Sequence, residues 1–285
     1  MTRIRLIMLS VLALFAFSAV AATAAQAIQA PFYKTCKKVA KGTGKYENAE
    51  CIKEGEPKEY ERIRLGAGEE KEVTGKQVAG TSFVLAAGGD TITCTVEKLK
   101  AGAKIIGSAS GEPGTSTETI EFSGCTVTGN GTPCAVTEPI TTEPVRNVLD
   151  YYSKHTVKAE FSPEYIGTYF VPVTGTKFVK LTFTGSKCEV TSTEVTGGVE
   201  AEDLTSTGEK VGPTGKEVTE KVARVRFPTT PILLYETVTK EVGTVHELTA
   251  TSTPAWLKAF GGKATLTGES ELALASGESW GVFSK

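Results

Sequence analysis

A secretion-type N-terminus followed by six cysteines constrains this 285-residue chain more than any other feature. Arg3 and Arg5 precede the apolar stretch Leu6 to Val20, which runs into Ala21-Ala22-Thr23-Ala24-Ala25-Gln26-Ala27. That is the layout of a cleaved signal peptide, with small-x-small sites ending at Ala24 or Ala27. The apolar run is shorter than the ~20 residues a helical span needs, so no membrane span is expected after cleavage. Residues 1–27 are read as the leader, and the mature chain as secreted or held at the cell surface. No cysteine stands at the cleavage site, so lipid attachment there is not expected.

In an oxidising compartment an even cysteine count reads as disulfides. The six are Cys36, Cys51, Cys94, Cys125, Cys134 and Cys188. They can pair in about 15 ways; the expected set is two local clips, Cys36–Cys51 and Cys125–Cys134, and one long bridge, Cys94–Cys188. A zinc site does not fit, because there is no C-x-x-C and neither His155 nor His246 lies near a cysteine pair. No metal or cofactor is expected.

Without the leader the chain loses two arginines, so 33 acidic residues outweigh the basic ones and the net charge is modestly negative. Such a balance offers no electrostatic case for nucleic acid or anionic membrane as partner. Only three acids are aspartate (Asp90, Asp150, Asp203), which argues against calcium loops.

Residues 28–65 read as a small cysteine-clipped unit, basic from Lys34 to Lys53 and poor in hydrophobic periodicity. Residues 66–285 read as strands. Apolar residues alternate with polar ones at Ile92, Cys94 and Val96, at Ile120 and Phe122, and at Val157, Ala159 and Phe161. The same holds for Val179, Leu181 and Phe183, and for Ala223, Val225 and Phe227. Period-two patterns describe strands with one buried face. Thr-Gly, Gly-Gly and Gly-Pro steps separate them. The fold expected is all-β, an antiparallel β-sandwich or barrel, with one or two short helices. Thr253 to Gly261 has helix start and stop signals with Trp256 and Phe260 four apart, and Pro144 to Tyr152 has helical apolar spacing but is short and reads equally as an edge strand.

The strongest hairpin signal is Cys125 to Cys134, where Asn130-Gly131 suits a type I′ turn. Asn130-Gly131-Thr132 is also a glycosylation sequon, but the compact, alanine-rich leader points to a bacterial source and favours the turn.

No motif commits the chain to a chemistry, and no catalytic residue is assigned. Gly277-Glu278-Ser279-Trp280-Gly281 matches the nucleophile-elbow pattern, yet only four residues follow, too few for the helix, acid and histidine that motif requires. His155 and His246 stand in no local triad or metal pattern. Glu200 with Glu202, and Glu269 with Glu271, share strand faces, as a glycosidase pair would, but solvated polar faces explain them better and no pair stands out. Tyr151, Tyr152, Tyr165, Tyr169, Trp256 and Trp280 could offer flat surfaces to a carbohydrate, but the favoured reading has Trp256 and Trp280 close the ends of the core.

Thr91-Ile-Thr-Cys94, Ile120-Glu-Phe-Ser-Gly-Cys125, Cys134 after a Gly-rich tip, the strand before Cys188 and Phe260-Gly-Gly262 occur in a recognisable order. With the Cys36…Gly44-Lys-Tyr-Glu-Asn…Cys51 unit, they make the chain resemble a group of uncharacterised secreted, disulfide-containing β-rich proteins of actinobacteria. The resemblance implies a cysteine frame and no activity. The sequence therefore leads to a non-enzymatic extracellular binding or coat protein with an unidentified ligand, carbohydrate among the candidates. A polysaccharide-acting hydrolase and an enzyme inhibitor are the alternatives.

Overall fold

The computed structural model describes residues 29–131, 133–153, 162–230, 232, 235–242, 245–249 and 256–285. The leader, His155 with the strand expected at 155–161, and Thr253 to Ala255 lie outside them. Among the described residues every helix or strand assigned is a strand, and no helix is long and apolar enough to cross a membrane. In chain order the strands begin with β1 (Phe32–Lys38), β2 (Tyr60–Arg64), β3 (Glu70–Gln77), β4 (Phe83–Ala87), β5 (Asp90–Leu99), β6 (Lys104–Ile106) and β7 (Thr115–Glu118). Next come β8 (Ile120–Thr128), β9 (Ala135–Val136), β10 (Ile140–Thr141), β11 (Val145–Tyr152), β12 (Tyr165–Pro172), β13 (Lys177–Thr184) and β14 (Ser192–Gly197). The last are β15 (Val199–Leu204), β16 (Ala223–Phe227), β17 (Tyr235–Val242), β18 (Val245–Thr249), β19 (Leu257–Ala259), β20 (Gly262–Leu274) and β21 (Trp280–Phe283).

The ladders close on themselves, so the fold is an antiparallel barrel. β7 pairs with β11, β11 with β12, β12 with β15 and β15 with β16. β16 pairs with β20, β20 with β3, β3 with β6, and β6 returns to β7. The thirteen residues of β20 let it serve two neighbourhoods, because its first half pairs with β19 and β4 instead. From there β4–β5–β8 and β13–β14–β19 extend the barrel wall.

The strand alternative holds for Pro144 to Tyr152, and the described part of the helix expected at Thr253 to Gly261 is a strand and turn. Pro144 to Tyr152 contains β11, hydrogen-bonded along all eight residues to β12. Its two faces are both largely buried, which erases the period-two signature and leaves a spacing that imitates a helix. Leu257–Ala259 is β19, and Phe260 (φ 49°) with Gly261 (φ 73°) turns the chain into β20. The glycine read as a helix stop is a hairpin turn.

The alternation at Ile92, Cys94 and Val96 breaks. Val96 is 46% exposed while Glu97 is buried. The β5–β8 ladder skips Thr95 and Gly124, where Gly124 adopts φ 64°. Such an irregularity re-aims the side chains beyond it, and here it turns Glu97 inward.

Along the barrel axis the interior is layered. One apolar cluster holds Phe83, Ile92, Phe170, Leu181, Phe183 and Phe227. The other holds Tyr33, Leu65, Leu149, Tyr151, Ile166, Trp280 and Val282. A separate sheet, β2–β1–β21, closes the second end and ties the cysteine-clipped N-terminal segment to the C-terminal strand.

The disulfides are Cys36–Cys51, Cys94–Cys125 and Cys134–Cys188. The first is as expected, whereas the proposed Cys125–Cys134 and Cys94–Cys188 bonds are exchanged for the other two. Cys94 and Cys125 sit opposite each other on β5 and β8, Cα atoms 4.0 Å apart. Cys134 leads into β9, which pairs with the end of β13 shortly before Cys188. Asn130 is also not in a type I′ turn, since positive φ occurs at Gly129 and Gly131 and not at Asn130. Its side chain is buried: Nδ2 donates to Val190 O, and Val190 N donates to Oδ1.

Candidate ligand chamber

Inward positions of successive strands obey parity, and at one level of the barrel several strands carry a polar residue where the pattern calls for an apolar one. On β11, Asn147 lies between Val145 and Leu149; on β12, Thr168 lies between Ile166 and Phe170. Asp203 follows Ala201 on β15, and Ser270 precedes Leu272 on β20. Glu97 on β5 and Ser116 and Glu118 on β7 complete a belt between the two apolar clusters.

The belt surrounds a cavity of about 50 Å³, with Tyr33 and Trp280 on its lining. Since one water needs about 10–15 Å³ on this measure, the cavity has room for a few. Ser270 Oγ donates to Glu97 Oε2 at 2.8 Å, and Thr168 Oγ1 donates to Asp203 Oδ2 at 2.8 Å. Asn147 Nδ2 donates to Ser116 Oγ at 2.9 Å. Two groups lack partners: Asn147 Oδ1, an acceptor, and Trp280 Nε1, a donor. Their residues are 2% and 3% exposed. Buried orphans of this kind are uncommon and costly.

Burial dominates the acid–base behaviour. It raises Glu97 to about 7, partly opposed by the Ser270 hydrogen bond and reinforced by the Glu118 charge. Burial likewise raises Glu118 to about 7 against a hydrogen bond from Asn147, and Asp203 to about 7 against one from Thr168. Tyr33 is pushed up by burial and by the Asp203 charge.

A second cavity of about 80 Å³ adjoins the first on the disulfide side, lined almost wholly by apolar side chains. Phe83, Phe122, Phe170, Phe227 and Leu266 face both. The interior therefore offers an acid end and an apolar end side by side. Among the described residues no cluster of three or more Asp, Glu, His or Cys has the arrangement to hold a metal ion.

Of the residues singled out in the sequence, Trp280 lines the chamber, and the other described ones lie elsewhere or serve the framework. Ser279 is 1% exposed, its Oγ unpartnered, and it leads into strand β21 instead of a helix. Glu202 and Glu200 do share an outer face of β15. Burial pushes Glu202 up, but hydrogen bonds from Lys210 and Arg226 overcome this and hold it below the usual range. Glu200 instead meets Asp150, and burial raises both well above the carboxylate range; the Asp150 charge and hydrogen bond raise Glu200 further, whereas the hydrogen bond with Glu200 lowers Asp150 and the Asp203 charge raises it. Glu269 and Glu271 both accept hydrogen bonds from Arg224. Tyr151, Tyr152 and Trp280 are buried, and Tyr165, Tyr169 and Trp256 half-buried, so no row of exposed rings forms. Lys263 Nζ lies 4.3 Å from the Trp256 ring centroid. His246 pairs opposite Glu241 in the β17–β18 hairpin.

Sequence reasoning missed Glu97, Glu118, Asn147 and Asp203. The available signal was parity, an amide or acid standing at an otherwise apolar inward position, and the rarity of aspartate. Comparison with known proteins finds no matching family model, no matching curated protein and no matching solved structure.

Proposed function

We propose that this protein is a secreted or cell-surface, disulfide-stapled binding barrel that takes a small ligand into its interior and catalyses no reaction. The adjoining acid-lined and apolar cavities carry this reading. Ligand pockets are largely preformed, apolar concavities with a few convergent polar groups. The chamber keeps unpartnered buried polar atoms at a cost to stability, which a bound molecule would offset. Three disulfides and the leader-like N-terminus support an extracellular setting. Kinship with the actinobacterial group belongs to the same proposal.

The apolar cavity is smaller than the ~150 Å³ that accommodates benzene, so it suits a fragment of about three or four carbons. Titration with butan-1-ol, followed by methyl and aromatic NMR, tests the proposal. Saturable shifts at Phe122, Phe170 and Leu181, lost in the cavity-filling variant Val195→Phe with a retained cooperative melt, support it. Unsaturable shifts, or shifts confined to surface residues, overturn it.

A further inference from the structure

We propose that the chamber's occupant is a short primary alkylammonium, its head among Glu97, Glu118, Asp203 and Asn147 and its alkyl group in the adjoining apolar cavity. This rests on the interior-binding reading and specifies the ligand class. The head-group end is rich in acceptors: three carboxyl groups and the orphan Asn147 Oδ1. Among the described residues its lining includes one basic side chain, Lys104, whose Nζ is drawn outward to Glu70 Oε1 at 2.7 Å. No internal cation therefore neutralises the belt. A metal ion is a poor match, since no described cluster of these acids has a metal-binding arrangement. An ammonium does not need three acids around one point: one carboxylate and neutral acceptors such as Asn147 Oδ1 can take its N–H donors, whereas an anion brings no donors to them.

The apolar side excludes a bare ammonium ion as the best ligand. Phe83, Phe122, Phe170 and Phe227 line both cavities, which puts hydrocarbon beside the acceptors for an alkyl group attached to the nitrogen. The aromatic faces also favour a nearby cation. Trp280 Nε1, an unpartnered donor, is not used by the ammonium. Because the empty belt retains protons near neutral pH, ammonium binding should ionise it and release protons.

The test compares butan-1-amine, butan-1-ol and butyrate by calorimetry at pH 7 in two buffers of different ionisation enthalpy. The amine should bind at least tenfold more tightly than the alcohol, release protons, and outcompete it in the NMR titration; butyrate should not bind. Glu118→Gln should weaken the amine at least fivefold and leave the alcohol within twofold. Asp203→Asn serves as the second variant if Glu118→Gln does not melt cooperatively. Alcohol binding equal to or tighter than amine binding overturns the ammonium assignment and leaves interior binding standing. Failure of both ligands to bind overturns interior binding and this proposal together.

Discussion

Ser270 Oγ donates a 2.8 Å hydrogen bond to Glu97 Oε2, joining β20 to β5 across 173 residues of chain. It opposes the burial that raises the Glu97 pKa. Ser270→Ala removes the donor and strands the carboxyl. A loss of about 1–3 kcal/mol is expected for a buried group deprived of its partner. The loss should be larger at pH 8, where Glu97 is ionised, than at pH 5, where it is protonated. Urea denaturation at both pH values measures this; an equal loss at both would show that Glu97 does not titrate between them.

The belt also sets the dependence of overall stability on pH. Glu97, Glu118 and Asp203 titrate at about 7 when folded, against an ordinary carboxylate range near 4. Between those values the folded chain binds more protons than the unfolded chain, so stability falls as pH rises from about 4.5 to about 7 and then levels. Glu69, Glu121 and Glu209, whose values are depressed by hydrogen bonds, act oppositely, and their contribution is lost as pH falls below the ordinary range. The urea midpoint should therefore peak near pH 5 and be lower at pH 8. Glu118→Gln should narrow the difference between pH 5 and pH 8. A midpoint that rises from pH 5 to pH 8 would contradict the buried belt.

The all-β class was legible because Ala223, Val225 and Phe227 alternate strictly and face the interior. The barrel's closure was not legible, because pairings such as β3–β6 and β7–β11 depend on contacts remote in sequence. β11 was obscured by burial of both faces. Glu97 was hidden by the phase change at Thr95 and Gly124, which a strict period of two places on the wrong side. Local cysteine spacing favoured the nearest partners, whereas strand register made Cys94 and Cys125 neighbours.

Non-reducing peptide mapping should recover Cys94–Cys125 and Cys134–Cys188 in separate peptides, together with Cys36–Cys51. The closed loops span 15, 31 and 54 residues. On the chain-entropy account these contribute about 3, 3.7 and 4.2 kcal/mol. Replacing both Cys134 and Cys188 with serine should therefore lower the urea midpoint most, and a larger loss from the Cys36–Cys51 pair would reverse that ranking.

Asn130 holds the loop before Cys134 to the segment after Cys188, with Nδ2 donating to Val190 O at 2.9 Å and Val190 N donating to Oδ1 at 2.7 Å. Asn130→Asp keeps the acceptor but sets an oxygen against the Val190 carbonyl. About 2–3 kcal/mol of stability should be lost, the upper end of the cost of an unmatched buried polar group. The two-point bridge also predicts that Asn130→Ala is destabilising. Melts of both variants indistinguishable from the parent would place the Asn130 side chain in solvent.

The strand between Asp150 and Glu200 contributes Gly167, whose missing side chain makes space for the acid pair. A β-carbon there would overlap Glu200 Oε1 and approach Ala201 O to 2.8 Å. Since the φ of Gly167 is not in the left-handed region, steric crowding and not backbone strain should govern Gly167→Ala. Overpacking of this kind costs about 1–3 kcal/mol. Glu200→Ala removes the principal obstacle. The double variant should therefore lose less stability than the two single losses combined, with a coupling of about 1 kcal/mol or more for groups in contact. Additive losses in a double-mutant cycle would mean that the Glu200 carboxyl does not lie over Gly167.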